Sequence, residues 1–314
     1  MYVFSAPAAI TALDLNTSVS HDNYLGALAE QESAGYDFSL AIHSILAPPP
    51  MTCLLELNLS NNFLRSDGSQ QLRQILQQNS LLTALHLSSN DIFCKGLPPI
   101  VDALSSVCTH LRALDPSANW IGCDGVAALA PVFEANTDLV ELDLTQNGIA
   151  APGCLHLSRS MQKDSMSQLL SLQILQNRVD AQAQKYMFPA ITMSSSLGSL
   201  RGLEGGTLGV FFDYVVAKVE AVQKHIPMPS HEFVKELDLS NAQLQTFPMV
   251  LLELKALESL DISQNELYQL PYIELCALSK LSKLDCHGNE NLMYPGKEIV
   301  TEGVFLPATF NKHM

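Results

Sequence analysis

An eleven-residue pattern of the form L-x-x-L-x-L-x-x-N-x-L recurs along this chain and constrains its fold more than any other feature. The clearest copy runs Leu139-Val-Glu-Leu142-Asp-Leu144-Thr-Gln-Asn147-Gly-Ile149. Leu54, Leu57, Leu59, Asn62 and Leu64 begin the series, and Leu82, Leu85, Leu87, Asn90 and Ile92 continue it. Leu111, Leu114, Pro116, Asn119 and Ile121 come next, and Leu169, Leu172, Ile174, Asn177 and Val179 follow the clearest copy. Successive copies start 28, 29, 28 and 30 residues apart. The apolar positions of one copy cannot form a core alone, so each needs a similar unit stacked on either side. The period leaves about 17 residues to return from each strand and turn, enough for a helix of two to three turns.

The return segments carry helical patterning. Leu72, Ile75 and Leu76 share one face of Gln71–Gln78, as Val126, Leu129, Val132 and Phe133 do in Val126–Phe133. Gly68, Gly96, Gly125 and Gly153 each lie six residues beyond their Asn, which suggests a tight turn into the helix where a Cβ is unwelcome. After a gap the pattern returns with a shorter beat: Val234, Leu237, Leu239 and Leu244 with Ala242 in the Asn position, then Leu257, Leu260, Ile262, Asn265 and Leu267, then Leu281, Leu284, Cys286, Asn289 and Leu292. These start 23 and 24 residues apart, which leaves little room for a full helix. A buried Asn amide can both donate to and accept from strand-end backbone groups that no helix satisfies. Asn62, Asn90, Asn119, Asn147, Asn177, Asn265 and Asn289 are therefore expected to form a structural ladder. Pro116 occupies an inward strand position without an N–H, so a missing hydrogen bond or a local bulge is expected there.

Five segments follow from this pattern. Residues 1–53 read as an N-terminal cap, with a decayed repeat at Ile10–Leu15 and an amphipathic helix over Asp37–Leu46. Residues 54–180 hold the long repeats. Residues 181–233 form a degenerate repeat and helical insert: Leu197 falls 28 residues after Leu169, and Leu208–Gln223 reads as a helix. Residues 234–293 hold the short repeats, and 294–314 a C-terminal cap and tail, with Tyr294–Gly303 closing the array.

Over about Leu54–Gly303 these motifs resemble the leucine-rich repeat superfamily. The long block is similar to the ribonuclease-inhibitor-like class, shared with Ran GTPase-activating proteins and NOD-like receptor sensor domains. The short block is similar to repeats of Ras-binding scaffolds and Roco proteins. The resemblance implies an α/β solenoid of about eight to nine repeats, one of them degenerate, with end caps. A curved parallel sheet would line its concave side and helices its convex side.

A formal net charge of −15 argues against non-specific attraction to nucleic acid or anionic membrane. Met1–Leu15 has no basic region ahead of its apolar run, and no stretch supplies about 20 uncharged apolar residues, so neither secretion nor membrane insertion is expected. Seven cysteines without a C-x-x-C pair fit reduced thiols in a cytoplasmic protein. Phosphate-loop, dinucleotide, nucleophile-elbow and zinc-protease motifs are absent from the sequence, and no cofactor or metal is expected. Cys94 and Cys123 fall on neighbouring turns and read as two small buried residues.

The surface carries the expected function. Period-2 alternation turns a column of side chains outward on the concave face: Asn58, His86, Asp115, Asp143, Gln173, Arg201, Asp238, Asp261 and Asp285, flanked by Arg112 and Glu141. The position after the ladder Asn projects from the edge and holds Phe63 and Trp120, residue types that anchor interfaces. The chain is therefore expected to be a protein-binding module or scaffold without catalysis, for a basic partner or a small GTPase. One alternative is a GTPase activator of the Ran-activating type, although none of that family's functional residues is matched. Another is a sensor or scaffold fragment of a larger NOD-like or Roco-type protein.

Overall fold

The computed structural model describes residues 12–14, 54–162, 166, 168–194, 196–203, 206–224 and 234–293. The expected helix at Asp37–Leu46 and the closing segment Tyr294–Gly303 lie outside them. Two compact units divide the chain: Met1–Ile149 with Lys163–Asn177, and Ala150–Gln162 with Arg178–Met314.

Among the described residues the first unit contains six parallel strands in sequence order: β1 (Ala12–Asp14), β2 (Glu56–Asn58), β3 (Ala84–His86), β4 (Ala113–Asp115), β5 (Glu141–Asp143) and β6 (Ser171–Gln173). Between them run α1 (Arg65–Gln77), α2 (Phe93–Ser106), α3 (Gly122–Ala128) and α4 (Ala130–Ala135). Register aligns Leu57, Leu85 and Leu114, and also Leu142 with Leu172; all five are buried. Strand, return helix and strand alternate, which makes this an α/β solenoid. The helices α1 and α2, at 13 and 14 residues, exceed the two to three turns expected, because each begins three residues after its ladder Asn.

Within the first unit the Asn ladder is continuous from Asn62 to Asn177. Asn90 Oδ1 accepts the N–H groups of Asn62 at 3.0 Å and Leu64 at 3.3 Å, while its Nδ2 donates to the carbonyls of Leu59 and Leu87. Asn119, Asn147 and Asn177 repeat the arrangement.

Pro116 interrupts the strand ladder without a bulge. The equivalent residues Leu59, Leu87 and Leu144 donate to His86, Asp115 and Gln173 carbonyls at 2.8–2.9 Å. Pro116 has no proton to donate, so β4 and β5 pair through two residue pairs, whereas β3 and β4 pair through three. The ladder resumes at Ala118, which donates to Thr145 at 2.8 Å.

Two expectations are corrected. Gly68, Gly96 and Gly125 do not make a turn; each is the fourth residue of its helix. A Cβ on Gly96 would lie 3.0 Å from Ser66 Cα and 2.8 Å from Ser69 Oγ, so the glycine permits close packing of α2 on α1. The single helix expected over Val126–Phe133 is two, because Pro131 cannot donate within a helix; it sits instead in the first turn of α4.

The second unit contains α5 (Ala151–Gln162), α6 (Ala181–Met193), β7 (Ser199–Arg201) and α7 (Gly206–Lys224), followed by β8 (Glu236–Asp238), β9 (Ser259–Asp261) and β10 (Lys283–Asp285). The last three form a parallel sheet. Between them a five-residue 3-10 turn (Met249–Glu253) and a four-residue helix, α8 (Tyr272–Leu275), replace the long helices, as the shorter period requires. Asp180 caps α6 by accepting the Ala183 N–H at 2.8 Å. Phe188 of α6 stacks on Phe211 of α7 with ring centroids 5.2 Å apart. Among the described residues no helix is long and apolar enough to cross a membrane.

Candidate functional site

In the first unit the outward strand positions line up. Asn58 pairs with His86, His86 with Asp115, and Asp143 with Gln173. Arg112 and Glu141 stand exposed beside them. His86 is central: its Nε2 lies 3.8 Å from Glu56 and its Nδ1 3.9 Å from Asp115, ion-pair rather than hydrogen-bond distances. The facing Asp115 carboxylate raises the His86 pKa above its ordinary value, with Glu56 and Glu141 adding to it. Burial alone would raise Asp115, but His86 and the Ser117 hydrogen bonds outweigh it and hold the carboxyl low.

The aspartates of this column also build the fold. Asp115 Oδ1 accepts the Ser117 N–H at 3.0 Å, and Asp143 accepts the Thr145 N–H at 2.8 Å. Asp238, Asp261 and Asp285 do the same for Ser240, Ser263 and His287, and Asn58 for Ser60. Each side chain closes the turn after its strand with one oxygen, as Asp and Asn do in local turns. Asp143 thus presents only its other oxygen outward.

Of the five aspartates, Asp115 and Asp143 fall in the first unit and Asp238, Asp261 and Asp285 in the second. Asp238 is exposed but already engaged by a lysine of the same unit. Lys185 Nζ, on a side chain only 12% exposed, reaches it at 2.9 Å and also donates to Ser240 at 2.9 Å. These bonds outweigh desolvation and lower the Asp238 pKa. Asp285 is bonded by His287 Nδ1 at 2.6 Å, and that carboxylate raises the His287 pKa.

The edge is built from left-handed residues. The position after the ladder Asn has φ of 51° at Phe63, 52° at Asp91, 56° at Trp120 and 71° at Gly148. Two residues further on, φ is 54° at Arg65 and Phe93 and 67° at Gly122. Glycine takes this conformation freely, whereas a side chain costs about 1–2 kcal/mol. Phe63, Phe93 and Trp120 are nevertheless 36%, 45% and 56% exposed, so burial does little to offset that cost.

A second buried row has no counterpart among the expected residues. Asn79, Cys108 and Asn136 each lie three residues before the first Leu of the next repeat, a spacing visible in the sequence. Asn79 and Asn136 accept the N–H groups of Leu54 and Leu111 at 3.2 and 2.8 Å. The Cys108 thiol donates to the Leu76 carbonyl at 3.3 Å. Cys94 and Cys123 are half-exposed rather than buried. Among the described residues no group of three or more His, Cys, Asp or Glu is placed to hold a metal ion.

Comparison with known proteins agrees with this geometry. The family model described as "Leucine Rich repeat" matches residues 78–96, 107–130 and 135–158. The ribonuclease inhibitor of Sus scrofa is 34% identical over 125 residues, 40% of this chain and 27% of that protein. The human NACHT, LRR and PYD domains-containing protein 13 is 29% identical over 143 residues, 45% of this chain and 13% of that one. The match thus spans about a quarter or less of either relative. Among solved structures, the leucine-rich repeat-containing protein LegL7 of Legionella pneumophila aligns with 95% of this chain and 90% of its own at 16% identity, with a TM-score of 0.43.

Proposed function

The chain belongs to the leucine-rich repeat superfamily, and we propose that it is a protein-binding scaffold whose contact surface is the outward strand face of the first unit. The observation that supports this is a division of labour within each repeat. Leucines and the ladder Asn are consumed by the core, while Asn58, His86, Arg112, Asp115, Glu141, Asp143 and Gln173 face outward on parallel strands. Glu56, Asp115, Glu141 and Asp143 weight that face toward a partner with a basic surface. The ribonuclease inhibitors are, by their name, inhibitors of an enzyme. For this chain the use inferred is binding of a protein rather than conversion of a substrate. The free thiols of Cys94, Cys108, Cys276 and Cys286 support a reducing, cytoplasmic setting.

The test is quantitative recovery of bound proteins on immobilised wild type and on a Glu141→Arg, Asp143→Arg double variant. Loss of one or more partners with the double variant, at unchanged thermal stability, is expected. Equal recovery of every partner would move binding off this face. Stimulated GTP hydrolysis in a small-GTPase panel would replace scaffolding with the activator reading.

A further inference from the structure

The left-handed edge of the first unit offers a site of its own, distinct from the strand face. Ladder register places Asp91 between Phe63 and Trp120: each follows its Asn, and Asn62, Asn90 and Asn119 are joined by backbone-to-amide bonds of 3.0 and 3.1 Å. Phe93 lies on the same turn as Asp91, two residues on, and is tied to the next repeat by its N–H donating to Asn119 at 2.9 Å. Stacked coils stand about 5 Å apart at the strands, so the carboxylate and its neighbouring rings lie within reach of one ligand group. Asp91 is half-buried, and among the described residues its carboxylate has no hydrogen-bond or ion-pair partner. Trp120 is the single tryptophan of the chain and is more than half exposed.

A carboxylate flanked by aromatic residues is the chemistry that receives an organic cation. The cation lies over the indole, where the ring quadrupole attracts it, and the carboxylate takes its hydrogen bonds. A guanidinium suits this better than an ammonium, because it is planar, stacks on an indole and is more weakly hydrated. A net charge of −15 on the chain is compatible with a cationic ligand. Trp120 stands where glycine is the unstrained choice, as at Gly148, and it remains more than half exposed.

We propose that Trp120 and Asp91, with Phe63 and Phe93 alongside, form a docking site for an arginine side chain of a protein partner. This deepens the scaffold reading without depending on which strand-face residues that partner also touches.

The lone tryptophan makes the test direct. Fluorescence excited at 295 nm reports Trp120 in the full chain while an oligo-arginine peptide is titrated, with oligo-lysine of equal length alongside. Saturable quenching by arginine, at several-fold lower concentration than by lysine, is expected. Asp91→Asn should weaken the arginine response by about three- to tenfold. Asn tolerates the left-handed backbone at least as well as Asp, so this variant keeps the fold. Glu290→Gln, an equal change in net charge on an exposed residue of the other unit, should leave the titration unchanged. Calorimetry of Trp120→Phe supplies a second readout that does not need the indole signal, and weaker binding is expected. A response equal for arginine and lysine, or the same in wild type and Asp91→Asn, would overturn the proposal. The Glu141→Arg, Asp143→Arg variant should titrate like wild type, so failure of the strand-face reading is read separately.

Discussion

Asn119 Oδ1 accepts the backbone N–H of Asn90 at 3.1 Å, and the same oxygen takes the Ile92 N–H at 3.2 Å. The Asn119 amide nitrogen meanwhile donates to the Leu87, Pro116 and Ser117 carbonyls, so one side chain joins two repeats at five backbone groups. Asn119 is fully buried, whereas Asn177 makes the corresponding bonds from a half-buried position. Asn119→Ala leaves several groups unpaired away from water, at about 1–3 kcal/mol each. Urea unfolding should show a loss of at least about 2 kcal/mol for Asn119→Ala and a smaller one for Asn177→Ala. Equal losses would mean that burial does not set the cost.

Gly96→Ala tests the packing of successive helices. In an exposed helix this exchange stabilises by roughly 0.5–1 kcal/mol. Here the new methyl meets Ser69 Oγ and Ile92 Cγ2, both at 2.8 Å, as well as the backbone of Ser66. Overpacking of this kind costs about 1–3 kcal/mol, so the variant should unfold at lower urea than wild type. Gly148→Ala meets no atom within 4 Å and should lose only the left-handed conformational cost.

These residues also show which parts of the fold are legible in sequence. Leu142, Leu144 and Asn147 are readable because each repeats on a fixed beat, and burial and amide chemistry act at the same position in every coil. The left-handed residues Phe63, Asp91 and Trp120 announce nothing, because glycine marks that conformation in only some repeats. Helix α6 is hidden for a different reason: Met187, Phe188, Ala190 and Ile191 run almost consecutively, and Pro189 in their midst reads as a breaker. Asp180 was its one local signal. The Lys185–Asp238 pair, 53 residues apart, follows no repeat and could not have been inferred from spacing. Of the candidate site, the composition of the strand face was legible. The use of its aspartates as turn-closers was not, since that depends on where each backbone N–H comes to lie.

His86 and Asp115 give the first unit a pH dependence of defined sign. The His86 pKa is raised on folding, so its contribution is fully present below the ordinary value of 6.5 and is lost as pH rises through the raised value. The Asp115 pKa is lowered, so its contribution is present above the ordinary carboxylate range and fades as pH falls through the folded value. The pair is complete only between those two limits. NMR titration should place His86 above an unstructured histidine in wild type and closer to it in Asp115→Asn. An unchanged His86 midpoint in that variant would assign the shift to Glu56 and Glu141 instead.

The thiols should separate sharply by reactivity. Burial pushes the Cys108 pKa up to about 11, and burial together with Asp285 does the same for Cys286. Cys154 is buried as well, whereas Cys276 is exposed. Alkylation at pH 8 followed by mass spectrometry should modify Cys276 first, with Cys108 and Cys286 slower by roughly a hundredfold or more. Rapid labelling of Cys108 in the folded chain would contradict its place in the buried Asn79–Cys108–Asn136 row.

Lys185 and Asp238 should respond unequally to loss of the partner. The Asp238 side chain is 61% exposed and can return to water, whereas Lys185 at 12% cannot do so readily. Lys185→Met keeps the buried stem and frees a solvated carboxylate, so its effect at neutral pH should stay below about 1 kcal/mol. Asp238→Asn leaves a nearly buried ammonium with Ser240 as its remaining acceptor, and about 1–3 kcal/mol should be lost. The acid limb separates the two states of the pair. Asp238 is lowered on folding, so wild type loses this contribution as pH falls through the folded value, and Lys185→Met should lack that part of the slope. Urea midpoints measured across the acid range decide it: identical slopes for wild type and Lys185→Met would show that the pair does not couple to folding.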